Sequence, residues 1–145
     1  MIIEYYNDMT TMRARYLGQL RVECEHQESG MKILTDAPKD NCGKGEAFSP
    51  TDLCATALGT CLLTTMGIYA QQHQLDIVGA ETEIIKIMGT DPRRIVEVDI
   101  VVHMPARKYT EKEKKILERV ANTCPVHFSL NEHIIQKIVF HWSEI

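Results

Sequence analysis

Residues 49–75 read Ser-Pro-Thr-Asp-Leu-Cys-Ala-Thr-Ala-Leu-Gly-Thr-Cys-Leu-Leu-Thr-Thr-Met-Gly-Ile-Tyr-Ala-Gln-Gln-His-Gln-Leu. Ser49 is a good helix N-cap, Pro50 suits the first helical position, and Asp52 stands where a capping box puts its acid. The stretch predicts a helix running to about Gln74. Its apolar positions (Leu53, Ala57, Leu58, Cys61, Leu62, Thr65, Ile68, Tyr69) recur every three or four residues. The opposite side carries no charge either, because none of the 23 residues from Leu53 to Leu75 is Lys, Arg, Asp or Glu. Such a helix is expected to be buried nearly all round. By length it could span a bilayer. Its four threonines, three glutamines, one histidine and two glycines are poorly suited to hydrocarbon, so a buried helix of a soluble protein is the better reading.

On the N-terminal side, residues 36–48 are rich in turn formers and read as a loop. Before it, residues 12–36 read as a strand meander. Leu20, Val22, Cys24 and His26 alternate with Arg21, Glu23 and Glu25, Gly18 and Ser29-Gly30 mark turns, and Met31–Thr35 adds a strand. On the C-terminal side, strands are expected at 80–88 and 94–104 around the turn Gly89-Thr90-Asp91-Pro92. In the second of them Val96, Val98, Ile100, Val102 and Met104 form the packed face, opposite Glu97, Asp99, Val101 and His103. Thr110 with Glu113 opens a helix whose inner stripe is Ile116, Leu117, Val120 and Ala121, leading to Cys124. Pro125 breaks that pattern and starts a short helix to about Gln136, and residues 137–142 close as a strand. The fold class is α+β, antiparallel strands with one long buried helix, in a single domain over 1–145.

The 145 residues carry a net charge of −4. That argues against nucleic acid or an anionic membrane as partner, both of which need clustered positive charge. The five cysteines, at 24, 42, 54, 61 and 124, are odd in number and scattered, a poor disulfide framework. Glu4, Asn7 and Asp8 interrupt any apolar leader, so a reduced, cytoplasmic protein is expected. A domain this small can hardly cover an uncharged 23-residue helix on every side. The composition therefore points to a core shared between two chains.

The thiols divide. Cys24, on the apolar side of a strand, and Cys54, one heptad before Cys61, read as small hydrophobes, and Cys42 as an incidental loop thiol. Cys61 and Cys124 both face inward on helices and could form a redox pair, although 63 residues of sequence separate them. Cys124 precedes a proline at a helix start, where amide dipoles favour thiolate. Zinc held by Cys61, Cys124 and His127 is a rival reading with only weak spacing support. There is no Walker loop, dinucleotide fingerprint, nucleophile elbow or zincin motif.

Gly43-Lys44-Gly45-Glu46-Ala47-Phe48-Ser49-Pro50-Thr51-Asp52-Leu53, then Ala55-Thr56-Ala57-Leu58-Gly59-Thr60-Cys61, resembles the OsmC/Ohr family, as do Cys124-Pro125-Val126 and the order of elements. The resemblance implies antiparallel sheets wrapped around long central helices in an intertwined homodimer, with active sites at the subunit interface. It implies a thiol peroxidase acting on organic hydroperoxides, with Cys61 as peroxidatic thiolate, Cys124 as resolving cysteine, an external dithiol as reductant, and no metal or other cofactor. The family's peroxidases place an arginine in the loop before the helix, paired with a glutamate after the helix proline. This chain has Lys39 and Lys44 in that loop and Thr51 at the glutamate's place, with Asp52 the nearest acid. Arg15 and Arg21 are the other cations to be placed. Lysine lacks the guanidinium fork, so the departure keeps open a non-catalytic member that binds a small apolar or thiol-reactive ligand.

Overall fold

The computed structural model describes residues 9–143, so the polar start at Glu4, Asn7 and Asp8 lies outside the described residues. Two compact units divide between Leu53 and Cys54. The first holds the expected meander: β1 (Met12–Gly18), β2 (Arg21–His26) and β3 (Lys32–Asp36), antiparallel in the order β1-β2-β3. Leu20 is not a strand residue. It and Gln19 form the two-residue turn, both at positive φ (61° and 52°), the geometry that matches strand twist in a tight hairpin. Ala14, Cys24 and Ile33 line up across the three strands, and so do Tyr16, Val22 and Thr35. The loop that follows contains a 3₁₀ turn, Lys39–Asn41. It folds back tightly, with the Gly43 and Gly45 amides donating to Pro38 O and Ala37 O at 3.0 and 3.2 Å.

Helix α1 (Pro50–Gln72) begins in the first unit and continues into the second. Its cap is the one the sequence predicts: Ser49 Oγ accepts from the Asp52 amide at 3.1 Å, and Asp52 Oδ2 from the Ser49 amide at 2.8 Å. The helix stops two residues before the expected end. Gln74 adopts a left-handed φ of 56°, and the Leu75 amide reaches back to Ala70 O at 2.9 Å. This is the closure usually supplied by glycine, here made by glutamine. Within this chain the burial is one-sided. Ala55, Leu58, Gly59, Leu62, Met66 and Ala70 form one buried row, while Thr60, Thr64 and Ile68 on the other side are exposed. An all-uncharged helix has no polar face to set its phase, which is why the inward row could not be read from periodicity. By length and composition α1 could cross a membrane; its inward row is instead part of a packed core.

The second unit builds that core on a sheet ordered β4-β5-β6, with β4 (Glu81–Thr90), β5 (Arg93–Met104) and β6 (Ile135–Trp142). The turn shrinks to Asp91-Pro92 because the strands pair up to Thr90 and Arg93. Ile87 pairs with Glu97 and Met88 with Ile95, so Val96 is a bulge residue. The packed row is therefore Ile95, Val98, Ile100, Val102 and Met104, with Ile95 in the place expected for Val96. Helix α2 (Glu111–Ala121) has the full Thr110–Glu113 capping box and buries Leu117 and Ala121. Helix α3 is only Pro125–Ser129, not a run to Gln136. The chain then enters β6, which pairs parallel to β5 rather than antiparallel. The 30-residue crossover from 105 to 134 carries the chain back to the end where β5 began, and parallel pairing requires such a return.

Candidate active site

Cys61 sits on α1 between the buried Leu58 and Leu62 and is half-buried against the core of the second unit. Cys124 continues the inner stripe of α2, after Leu117 and Ala121, and is fully buried. The two thiols, 63 residues apart in sequence, come within range to act on each other by hydrogen bonding and charge. Both are free.

Cys124 is the N-cap of α3, with extended backbone (φ −69°, ψ 145°), and its sulfur accepts from the His127 amide at 3.3 Å. Sulfur thus does what an Asp or Ser oxygen does in most caps. The helix start was expected to favour thiolate, and the amides of His127 and Val126 do pull that way. Burial outweighs them, and the facing Cys61 adds to it, so the Cys124 thiol is pushed up from its ordinary value.

The supporting candidates all lie in the first unit, and most have a structural employment there. Arg21 donates to Asp36 at 3.0 Å and to Glu46 at 2.6 Å. Lys44 donates to Gln19 at 3.0 Å, and Arg15 pairs with Glu23 at 3.0 Å. Asp52 serves the α1 cap, where Thr51 Oγ1 also lies 3.1 Å from Ser49 Oγ. The Lys39 stem lies beside Gly45. Of the other thiols, Cys24 is half-buried in the first sheet, Cys42 exposed in the loop, and Cys54 half-buried against the core.

His127 Nδ1 lies 2.7 Å from Gln136 Oε1, and no group of three His, Cys, Asp or Glu residues able to hold a metal is gathered among the described residues. The sequence pattern places Gln136 at the end of a helix, whereas the structure puts it in β6. The available signal was phase: Gln136, Ile138, Phe140 and Trp142 share one face of β6, and Gln136 is the polar member of that row.

Residues 43–138 match the OsmC-like protein family. The chain belongs to that family. Among solved structures, a protein of Psychrobacter arcticus 273-4, provisionally named as osmotic stress induced and of the detoxification response, is 47% identical. The match covers 92% of this chain and 96% of that one, with a TM-score of 0.88. The organic hydroperoxide resistance protein OhrB of Bacillus subtilis shares the OsmC-like fold at 16% identity and a TM-score of 0.64, over 90% and 96% of the two chains. So does a provisionally named organic hydroperoxide resistance protein of Vibrio cholerae O1, with captopril bound in one of its active sites, at 17% identity and a TM-score of 0.69, over 91% and 92%. A search of curated proteins returns no match.

Proposed function

We propose that this OsmC-like protein is a thiol peroxidase that reduces organic hydroperoxides through Cys61 and Cys124, working as a homodimer in a reducing cytoplasm. The observation that carries the reading is that these two free thiols, distant in sequence, lie within interacting range of each other at one core. In the proposed cycle the Cys61 thiolate attacks one peroxide oxygen. The O–O bond breaks, the alkoxide leaves and takes a proton to become alcohol, and the sulfur is oxidised by two electrons to sulfenic acid. Cys124 then attacks that sulfur, an S–S bond forms, and the hydroxyl leaves with the thiol proton as water. An external dithiol reduces the disulfide by exchange.

Titrating the reduced protein with an alkyl hydroperoxide should consume one equivalent and give a Cys61–Cys124 disulfide by peptide mass spectrometry. Cys61→Ser should abolish consumption, and Cys124→Ser should leave a sulfenic acid that dimedone traps. If no such disulfide forms and Cys61→Ser consumes peroxide as before, the proposal fails.

The second reading, a non-catalytic binder of a small apolar ligand, draws on two observations. Burial makes Cys124 hold its proton more tightly, and a hollow of about 290 Å³ lies beside α1, lined by Leu63, Gly67, Ala70, Leu75, Ile77 and Val78 among others. It predicts a ligand retained through purification, visible by native mass spectrometry, and thiols that stay reduced under peroxide.

A further inference from the structure

Gln136 is tied to His127 twice: its Oε1 lies 2.7 Å from the imidazole Nδ1, and its Nε2 donates to the His127 carbonyl at 3.2 Å. The carbonyl can only accept, so it fixes which end of the carboxamide is nitrogen. The oxygen must then face the ring, and Nδ1 must carry a proton. One side chain therefore holds both the ring and the main chain of His127. That residue's own amide points at Cys124 sulfur from 3.3 Å.

The tether has a physical reason. Helix α3 is five residues long, far below the length at which a helix holds itself together in water. Its direction must come from outside. The ring of His127 also meets Phe128 edge-on at 5.0 Å, but Phe128 is itself exposed and anchors little. Gln136 is anchored in the parallel ladder, where it pairs with Val98 in the middle of the core sheet.

We propose that Gln136 is a positioning residue for the resolving thiol: through His127 it aims an amide that hydrogen-bonds Cys124 sulfur, and so sets how readily Cys124 gives up its proton. This rests on the peroxidase reading for its use in a reaction, though not for its effect on Cys124. In that reaction the tether acts at two moments. When Cys124 attacks the Cys61 sulfenic acid, sulfur needs electron density that the departing proton leaves behind. When the external dithiol attacks Cys61 in the disulfide, Cys124 is the leaving group, and a better-stabilised thiolate leaves faster. Attack of Cys61 on peroxide does not involve it. The titratable group facing Cys124 is Cys61, across the core on α1, and His127 reaches it through the amide.

The test compares wild type, Gln136→Ala and Gln136→Glu. The glutamate can still accept from the ring but cannot donate to the carbonyl, so it separates the two contacts. Cysteine labelled with ¹³C at Cβ, assigned with Cys124→Ser, reports the titration of Cys124 directly and without any peroxide. In Gln136→Ala the Cys124 transition should move up by about half a unit, a roughly threefold loss of thiolate below it. In single-turnover mixing, decay of the Cys61 sulfenic acid should slow by a similar factor while the first step keeps its rate. Gln136→Glu loses the carbonyl contact and adds a negative charge nearby, so its Cys124 transition should also move up. Circular dichroism confirms that each variant is folded; should Gln136→Ala unfold, Gln136→Glu carries the same measurement. An unmoved Cys124 transition in a folded variant overturns the proposal. If the transition moves but wild type forms no Cys61–Cys124 disulfide, positioning by Gln136 stands and the peroxidase reading falls.

Discussion

Asp36 has a fully buried side chain, and three contacts converge on it: Arg21 Nη2 at 3.0 Å, Arg21 Nε at 3.5 Å, and the Glu46 amide at 3.0 Å. Together these outweigh burial and hold its carboxyl below the usual range. The folded value is thus below the unfolded one. Its contribution to stability is full above the ordinary carboxylate range and is lost as pH falls through the lower folded value. The unfolding midpoint of wild type should therefore drop on acidification through that window, while Asp36→Asn is less stable at neutral pH and flatter across it. Equal slopes in thermal melts from pH 7 to 3 would sink the assignment. Gly43 is a second position where one residue decides. A Cβ there would lie 1.7 Å from Ala37 O, a main-chain atom that cannot step aside. Gly43→Ala should cost about 1–3 kcal/mol by urea unfolding, or force the loop into another course.

Among elements, α1 divides what a sequence shows from what it hides. Its start was legible because a cap is written in four consecutive residues, Ser49 to Asp52, and their mutual hydrogen bonds need nothing else. Ser49→Ala should cost about 1 kcal/mol. Its inward row was hidden, since Leu58 and Leu62 pack at zero exposure for tertiary reasons that Ile68 does not share. Leu58→Ala should cost about 2–5 kcal/mol by chemical denaturation, and Ile68→Ala far less in an isolated chain. The strand β6 makes the same point at longer range. Its alternation was readable, but its direction relative to β5 depends on where a 30-residue crossover returns the chain. Misplacing its first residues inside α3 is also what concealed Gln136. Of the candidate site, the inner stripe of α2 leading to Cys124 is legible, whereas the approach of Cys61 to it is a tertiary contact that no local pattern encodes. The partners of the supporting cations are tertiary and so unreadable in sequence: Arg21 serves Asp36 and Glu46.

At the scale of the whole molecule, two apolar surfaces are left uncovered by the chain's own core. One is the outer side of α1, where Ile68 is 55% exposed one turn beyond Thr64. The other is the first sheet, where Met12, Tyr16 and Ile33 stand on one face. The proposed homodimer accounts for both, as each would be covered by a second copy. Sedimentation should give a dimer at micromolar concentration, and Ile68→Asp should shift it toward monomer; a monomeric wild type would refute the shared core. The thiol pair adds a consequence of another kind. A bond between Cys61 and Cys124 would fasten the first long helix of the second unit to its last, closing a loop of 63 residues. A closure of that length is worth about 4 kcal/mol through the lost freedom of the unfolded chain. The proposed peroxidase would then be a tougher molecule while loaded with oxidant than after its reductant has served it, so that calorimetry of the two forms reads the redox state of the cell as heat resistance.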